Sequence, residues 1–219
     1  MPITLSDVEA RILGSLIEKS LTTPESYPLS LNTLLNACNQ KTSRDPVMNL
    51  DEPTIARGLA SLREKGLVYQ KSEAGNRVPK FGHRAENLMT GGNAKEIGVV
   101  CVLLLRGPQT PGEIKTRTDR LCEYESVAEV VTVLDELAHR SDGPFVARLP
   151  RQPGQKETRY AQLFTGSTEA AASAPTVSMP APKSAAAPAV DRFAQLEQRV
   201  QALEAQVAEL RKVSERSIS

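Results

Sequence analysis

Asp51-Glu52-Pro53-Thr54-Ile55-Ala56-Arg57-Gly58-Leu59-Ala60-Ser61-Leu62-Arg63-Glu64-Lys65-Gly66-Leu67-Val68-Tyr69 reads as a helix that stops and becomes a strand. Asp51 is the N-cap, because its carboxylate can accept amide protons that the first turn leaves without partners. Ile55, Leu59 and Leu62 return at helical spacing and point inward. Gly66 ends the helix, since it enters the left-handed conformation without a Cβ clash. Leu67-Val68-Tyr69 and Val78 to Phe81 then flank Glu73-Ala74-Gly75-Asn76, the pattern of a two-stranded hairpin.

Two more helices precede this stretch. Ser6-x-x-Glu9 is a capping box opening a helix with the inward face Val8, Ile12, Leu13, Leu16 and Ile17. Tyr27-Pro28-Leu29 is extended and leads to Ser30, which caps a second helix carrying Leu31, Leu34, Leu35 and Cys38. The same order returns, much diverged, from about Ala94 to Phe164. Ile97, Val100, Cys101 and Leu104 make the first helical face, and Thr110-Pro111-Gly112-Glu113 combines an N-cap, an early Pro and a capping-box Glu. Ile114 and Leu121 face inward, with Thr118 weakening their stripe. Ser126-x-x-Glu129 caps a third helix with the face Val127, Val130, Val131 and Leu134, and Phe145 to Leu149 with Thr158 to Leu163 form a second hairpin. Such repetition fixes the unit of architecture. The unit is about 70 to 80 residues, enough for a small domain with its own core.

Helix, helix, helix, hairpin is the order of a winged helix-turn-helix domain, in which the third helix can enter the major groove. The expected class is therefore mainly α with small β-hairpins (α+β), as two tandem winged-helix domains over residues 1–90 and 91–165, with Gly91-Gly92-Asn93 as the hinge between them. Residues 166–190, rich in Ala, Pro and Ser, cannot offset the entropy of folding and read as a disordered linker. Over residues 191–214, Phe193, Leu196, Val200, Leu203, Val207 and Leu210 alternate in steps of three and four, the seam of a parallel two-stranded coiled coil and hence a homodimer. An amphipathic helix folded back on the domains is the other reading of that stretch.

Leu21-Thr22-Thr23-Pro24-Glu25, Tyr27-Pro28-Leu29-Ser30-Leu31-Asn32, Ala37-Cys38-Asn39-Gln40-Lys41 and Ser43-Arg44-Asp45-Pro46-Val47-Met48 closely resemble the YceH-like family of uncharacterised bacterial proteins. The resemblance runs from about Leu5 to Phe164. It implies a pair of winged-helix domains in a bacterial cytoplasm and no particular activity.

The net charge of only +1 bounds the partners: any nucleic-acid surface is local and balanced by acidic faces elsewhere. Thr54, Arg57, Gly58, Ser61 and Lys65 fall on or beside the outer face of the first domain's third helix. Arg57 suits a bidentate contact to guanine, and Thr54 and Ser61 suit phosphates or bases. Lys71, Arg77 and Lys80 lie in the hairpin, with Arg84 nearby. An ordinary solvated face, diluted by Glu52 and Glu64, is the competing reading. In the second domain Glu129, Asp135 and Glu136 make the third helix acidic, which favours a protein partner there. Its basic residues lie instead on the preceding helix, at Lys115, Arg117 and Arg120, and around the hairpin, at Arg148, Arg151, Lys156 and Arg159.

The loop Asn39 to Met48 is about a dozen residues where a helix-turn-helix needs about three or four. Gln40, Lys41, Ser43 and Arg44 make it a candidate site for a phosphate or carboxylate; a loop closed on itself through Arg44 and Asp45 is the alternative. Enzyme readings are weak. His83 and His139 have no nucleophile or metal-ligand partner at recognisable spacing, and His83 reads as a surface or phosphate-contacting residue. Cys38, Cys101 and Cys122 read as core hydrophobes of a reduced compartment. No metal or cofactor is expected, and the N-terminus lacks a signal peptide, so the expected location is the cytoplasm. The expected function is a dimeric protein that binds double-stranded DNA through the first domain, with transcriptional regulator as the role this suggests. The alternative is a non-enzymatic protein-interaction adaptor built on the same scaffold.

Overall fold

The computed structural model describes residues 3–72, 78–151, 154 and 157–166. The turn 73–77 with Arg77, nearly all of the linker, and the seam Phe193, Leu196, Val200, Leu203, Val207 and Leu210 lie outside the described residues. Helix α1 (Asp7–Thr22) begins on the expected capping box: Ser6 Oγ accepts from Glu9 N at 3.3 Å, and Glu9 Oε2 accepts from Ser6 N at 2.6 Å. A short strand β1 (Leu29–Ser30) runs into α2 (Leu31–Cys38), capped by Ser30. Helix α3 (Glu52–Glu64) opens at Asp51, whose Oδ1 accepts from Thr54 N at 3.0 Å, and Gly66 follows it with φ of 71°. Strands β2 (Val68–Lys71) and β3 (Lys80–His83) are antiparallel, and β1 adds to the free edge of β3, pairing Leu29 with Phe81.

The second half repeats this plan as α4 (Ala94–Arg106), α5 (Pro111–Thr118), α6 (Val127–His139), β4 (Val146–Arg148) and β5 (Tyr160–Gln162). The architecture is thus mainly helical with small antiparallel sheets. The likeness reaches details that spacing alone does not show. Gln109, just before the cap of α5, exchanges backbone hydrogen bonds with Tyr160, as Leu29 pairs with Phe81 just before α2. Glu9 and Glu96 each stand at the third position of their half's first helix, each in a capping box. Each also receives a cation from the residue capping the end of the third helix, Lys65 at 2.6 Å and Arg140 at 2.9 Å.

The halves form one core. Val99 to Leu105 on α4 are all buried, so that helix is apolar all round, as a helix between two layers must be. Its outer side packs on α1 at Gly14, where Cys101 Sγ donates to the carbonyl of Gly14 at 3.4 Å. Leu5 N donates to Phe164 O at 2.7 Å and Asp45 N to Leu105 O at 2.9 Å, tying the N-terminal segment and the long loop of the first half to the second.

The buried residues follow the expected stripes except on α6. There Val130, Val133, Leu134 and Leu137 face inward, while Val127 is exposed and Val131 half-exposed. Val127 is the first residue of the helix, where no preceding turn lies beneath its side chain. Thr118, which breaks the apolar stripe of α5, is fully buried and satisfied, its hydroxyl donating to Ile114 O at 2.8 Å. All three cysteines are free, and burial pushes the Cys38 thiol up to about 11, which suits a core residue and not a nucleophile.

Candidate nucleic-acid interface

Asp51 and Ser126, Ile55 and Val130, Leu59 and Leu134, Leu62 and Leu137, and Lys65 and Arg140 share one sequence offset, so α3 and α6 can be compared position by position. On α3 the inward face is Ile55, Gly58, Leu59 and Leu62. Gly58 is therefore not part of an outer face. A Cβ there would lie 2.5 Å from Ile12 Cδ1, so its missing side chain lets α3 approach α1. Ser61 is half-buried on the same side. Lys65 Nζ donates to Glu9 Oε1 at 2.6 Å and to Thr4 O at 2.9 Å. Burial works to raise the Glu9 pKa, but the bonds from Lys65 and Ser6 outweigh it and hold the carboxylate below its ordinary range. Lys65 remains exposed, and Arg140 repeats this contact in the other half, so the ion pair is a feature that the two halves share.

The outward face of α3 carries Ala56, Arg57, Ala60, Arg63 and Glu64, all exposed. Arg57 Nη2 donates to Thr54 Oγ1 at 2.9 Å, which holds the guanidinium along the N-terminal half of the helix. Arg63 was not among the residues expected here. Its signal is helical spacing from Ala56 and Ala60, which becomes readable only once Ser61 and Lys65 are assigned to α1. On α6 the same positions hold Val131, Thr132, Asp135, Ala138 and His139, so neither arginine has a counterpart and a carboxylate stands where α3 has Ala60. Glu129 is half-buried and ion-paired with Lys95, leaving Asp135 and Glu136 as the exposed acids.

In the hairpin beside α3, Lys71 stands directly across from Lys80, and Ser30 flanks Lys80 on the other side. Lys71 is exposed and Lys80 half-buried. Arg84 is exposed with its guanidinium 5.8 Å from the centre of the Tyr69 ring. Tyr69 in turn lies across Gly82, where a Cβ would collide with the ring.

His83 is half-buried and held by hydrogen bonds within the fold. Its Nδ1 accepts from Ala85 N at 3.1 Å, which leaves Nε2–H to donate to Ser20 Oγ at 2.8 Å, whose own proton goes to Ile17 O. Burial lowers its pKa below the ordinary histidine value near 6.5, and Glu86 opposes this only in part. The unfolded chain therefore binds the proton more readily, and stability should be full above about pH 6.5 and fall as pH drops below it. Urea unfolding between about pH 7 and pH 5 should show this slope, and His83→Gln should flatten it. An equal slope in both proteins would remove His83 as its source.

The long loop is closed at its neck by Asn39, whose side chain donates to Leu50 O and accepts from Leu50 N, both at 2.8 Å. Gln40 is half-buried and Lys41 and Ser43 are exposed, but Arg44 is only 5% exposed. Its guanidinium grips Glu18 through Nη2–Oε2 at 2.6 Å and Nη1–Oε1 at 3.1 Å, and also donates to Ala37 O and Ser43 O. Arg11, unremarked in the sequence, is 1% exposed and reaches Cys38 O at 3.0 Å and Pro46 O at 2.6 Å. Arg44 is thus a buried strut and not an open anion ligand, and its carboxylate partner is Glu18, not the neighbouring Asp45.

Among the described residues no group of His, Cys, Asp and Glu is placed to hold a metal ion, and no helix is long and apolar enough to cross a membrane. The profile of a family described as a protein of unknown function, DUF480, matches residues 5–155. The chain is similar to a UPF0502 protein of Photobacterium profundum, 45% identical over 218 residues and covering 98% of each chain. It is 47% identical over 211 residues to a UPF0502 protein of Aeromonas hydrophila subsp. hydrophila, covering 94% of each, and 50% identical over 199 residues to one of Opitutus terrae, covering 91% of this chain and 83% of that one. The family resemblance read from the loop and helix motifs is borne out.

Proposed function

We propose that this chain, which belongs to the UPF0502 (DUF480) family of proteins of unknown function, binds double-stranded DNA through α3 and the β2–β3 hairpin. In this reading each half is a winged helix-turn-helix domain, α3 is the recognition helix and the hairpin is its wing. The observation that carries it is the outward face of α3. Small residues at Ala56 and Ala60 let the helix backbone come close to a groove floor, and Arg57 and Arg63 stand on either side of them. Lys71, Lys80 and Arg84 add cations along the adjoining hairpin, as a phosphate backbone beside that groove requires. The C-terminal seam would pair two such readers, as a transcriptional regulator needs. A protein-interaction adaptor is the second reading, favoured by the acidic and partly apolar face that α6 presents at Val127, Val131, Asp135 and Glu136.

Selection from a random duplex pool at physiological salt, with the full chain, tests the proposal. Wild type should enrich a motif. Arg57→Ala with Arg63→Ala should weaken binding at least about tenfold and relax preference at the bases they contact, at about 1–3 kcal/mol for each bidentate pair lost. Lys80→Ala should act evenly on all sequences and lower the salt slope by about 0.9 for the phosphate released. Equal affinity, preference and slope in wild type and the double variant would rule out α3 as the reader.

A further inference from the structure

The second half has lost the arginines of its third helix, yet its hairpin gathers cations of its own. Arg148 ends β4, and Arg151 lies three residues on in the turn region; both are exposed. Their side chains converge on one hydroxyl. Arg148 Nη2 donates to Thr158 Oγ1 at 3.4 Å, and Arg151 Nε donates to the same atom at 3.2 Å. Thr158 is only 9% exposed, so its oxygen is fixed and the cations come to it.

Like charges do not gather on a neutral acceptor without cost, because that acceptor supplies no countercharge. The usual relief is a carboxylate, and this hairpin has almost none. Between Arg148 and Arg159 the sequence holds a single acid, Glu157, and the residues outside the described set there are Gln152, Pro153, Gln155 and Lys156. Among the described residues no carboxylate lies within ion-pairing distance of Arg148 or Arg151. Arg159, next in line, shows the contrast: it is neutralised by Glu113 at 2.9 Å. With both lone pairs of Thr158 Oγ1 taken up by guanidinium donors, its own O–H is left to donate. Two guanidinium forks and one hydroxyl donor make a set complementary to a tetrahedral oxyanion.

We propose that Arg148, Arg151 and Thr158 form a phosphate-binding clamp at the turn end of the β4–β5 hairpin. The site does not depend on α3 being a DNA reader. Its ligand chemistry is that of a phosphate oxyanion, whether a phosphodiester of a nucleic-acid backbone or a free phosphate group, and the two sources separate by experiment.

The test is a titration of the full chain, labelled with nitrogen-15, by inorganic phosphate against chloride at constant ionic strength, following the Arg Nε–Hε signals. Arg148 and Arg151 should shift saturably with phosphate and not with chloride. Thr158→Val should abolish the response and Thr158→Ser should keep it, which separates loss of the hydroxyl from loss of shape. In parallel, the salt dependence of binding to a duplex is compared between wild type and Arg148→Ala with Arg151→Ala. A slope reduced by about 0.9, one phosphate's worth, assigns the clamp to a nucleic-acid backbone. A phosphate response with an unchanged slope assigns it to a free phosphate group. No saturable response at Arg148 and Arg151 to either probe, with the chain folded, overturns the clamp, and does so whether or not the α3 variants alter DNA binding.

Discussion

Glu18→Ala should destabilise the fold by about 3–5 kcal/mol. The reason lies in what stays behind. The Arg44 side chain has no solvent exposure and Glu18 is 15% exposed, so removing the carboxylate leaves a guanidinium buried without its countercharge. The carbonyls of Ala37 and Ser43 would still accept from it, but they carry no charge. Arg11, also buried, lies close enough that each of these cations feels the other, and it bonds only to carbonyls. Glu18 is the carboxylate that pairs with this cluster. Burial works to raise its pKa, and the bonds and charge of Arg44 outweigh that and hold it below the usual carboxylate range. At an m-value near 2 kcal/mol/M, the urea midpoint should fall by about 2 M. Glu18→Ala combined with Arg44→Met should recover at least about half of the loss, because the second change removes the stranded charge and refills the space with apolar atoms. If single and double variants agree within about 0.5 kcal/mol, the cost comes from packing and not from the unpaired cation.

Arg44 also shows where a sequence stops being legible. Ser6-x-x-Glu9, Thr110-Pro111-Gly112-Glu113 and Gly66 could be read directly, because a cap depends on residues three or four apart and needs no knowledge of the rest of the chain. The inward stripes of α1, α2 and α3 were readable for the same reason. Arg44 meets Glu18 across 26 positions, and nothing local in the loop distinguishes a guanidinium turned inward from one turned out. The face of α3 fails by the same logic. Gly58 and Ser61 look like surface until α1 is laid against them, and Lys65, though exposed, is drawn to Glu9 of α1, which leaves Ala56, Arg57, Ala60 and Arg63 as the outward face. One global feature was written plainly. The run Val99 to Leu105 has no polar side, and an all-apolar helix is buried on every side, as α4 is by packing on α1, α5 and α6.

That seam is the source of the second large effect. Gly14→Leu should cost about 3 kcal/mol, at the upper end for overpacking, and should loosen both halves together. Glycine in a helix interior is itself unfavourable by about 1 kcal/mol relative to alanine, so its presence in α1 needs a compensating gain. The gain is closeness. A Cβ at Gly14 would lie 2.9 Å from both Cγ and Cδ2 of Leu105 and 3.2 Å from Cβ of Leu104, so even one carbon forces α4 to give way. The same displacement pulls Cys101 Sγ from the carbonyl of Gly14 and strains the bond from Asp45 N to Leu105 O, which anchors the long loop. Gly112 is the internal control. It also lies in a helix, but a Cβ there meets nothing within 4 Å, so Gly112→Ala should raise stability by about 0.4–1 kcal/mol through a less flexible unfolded chain. Urea unfolding measures both. Hydrogen exchange adds the spatial test: in Gly14→Leu the amides of α4 and of the loop 39–50 should lose protection together, whereas loss confined to α1 would mean that the halves do not share a cooperative core.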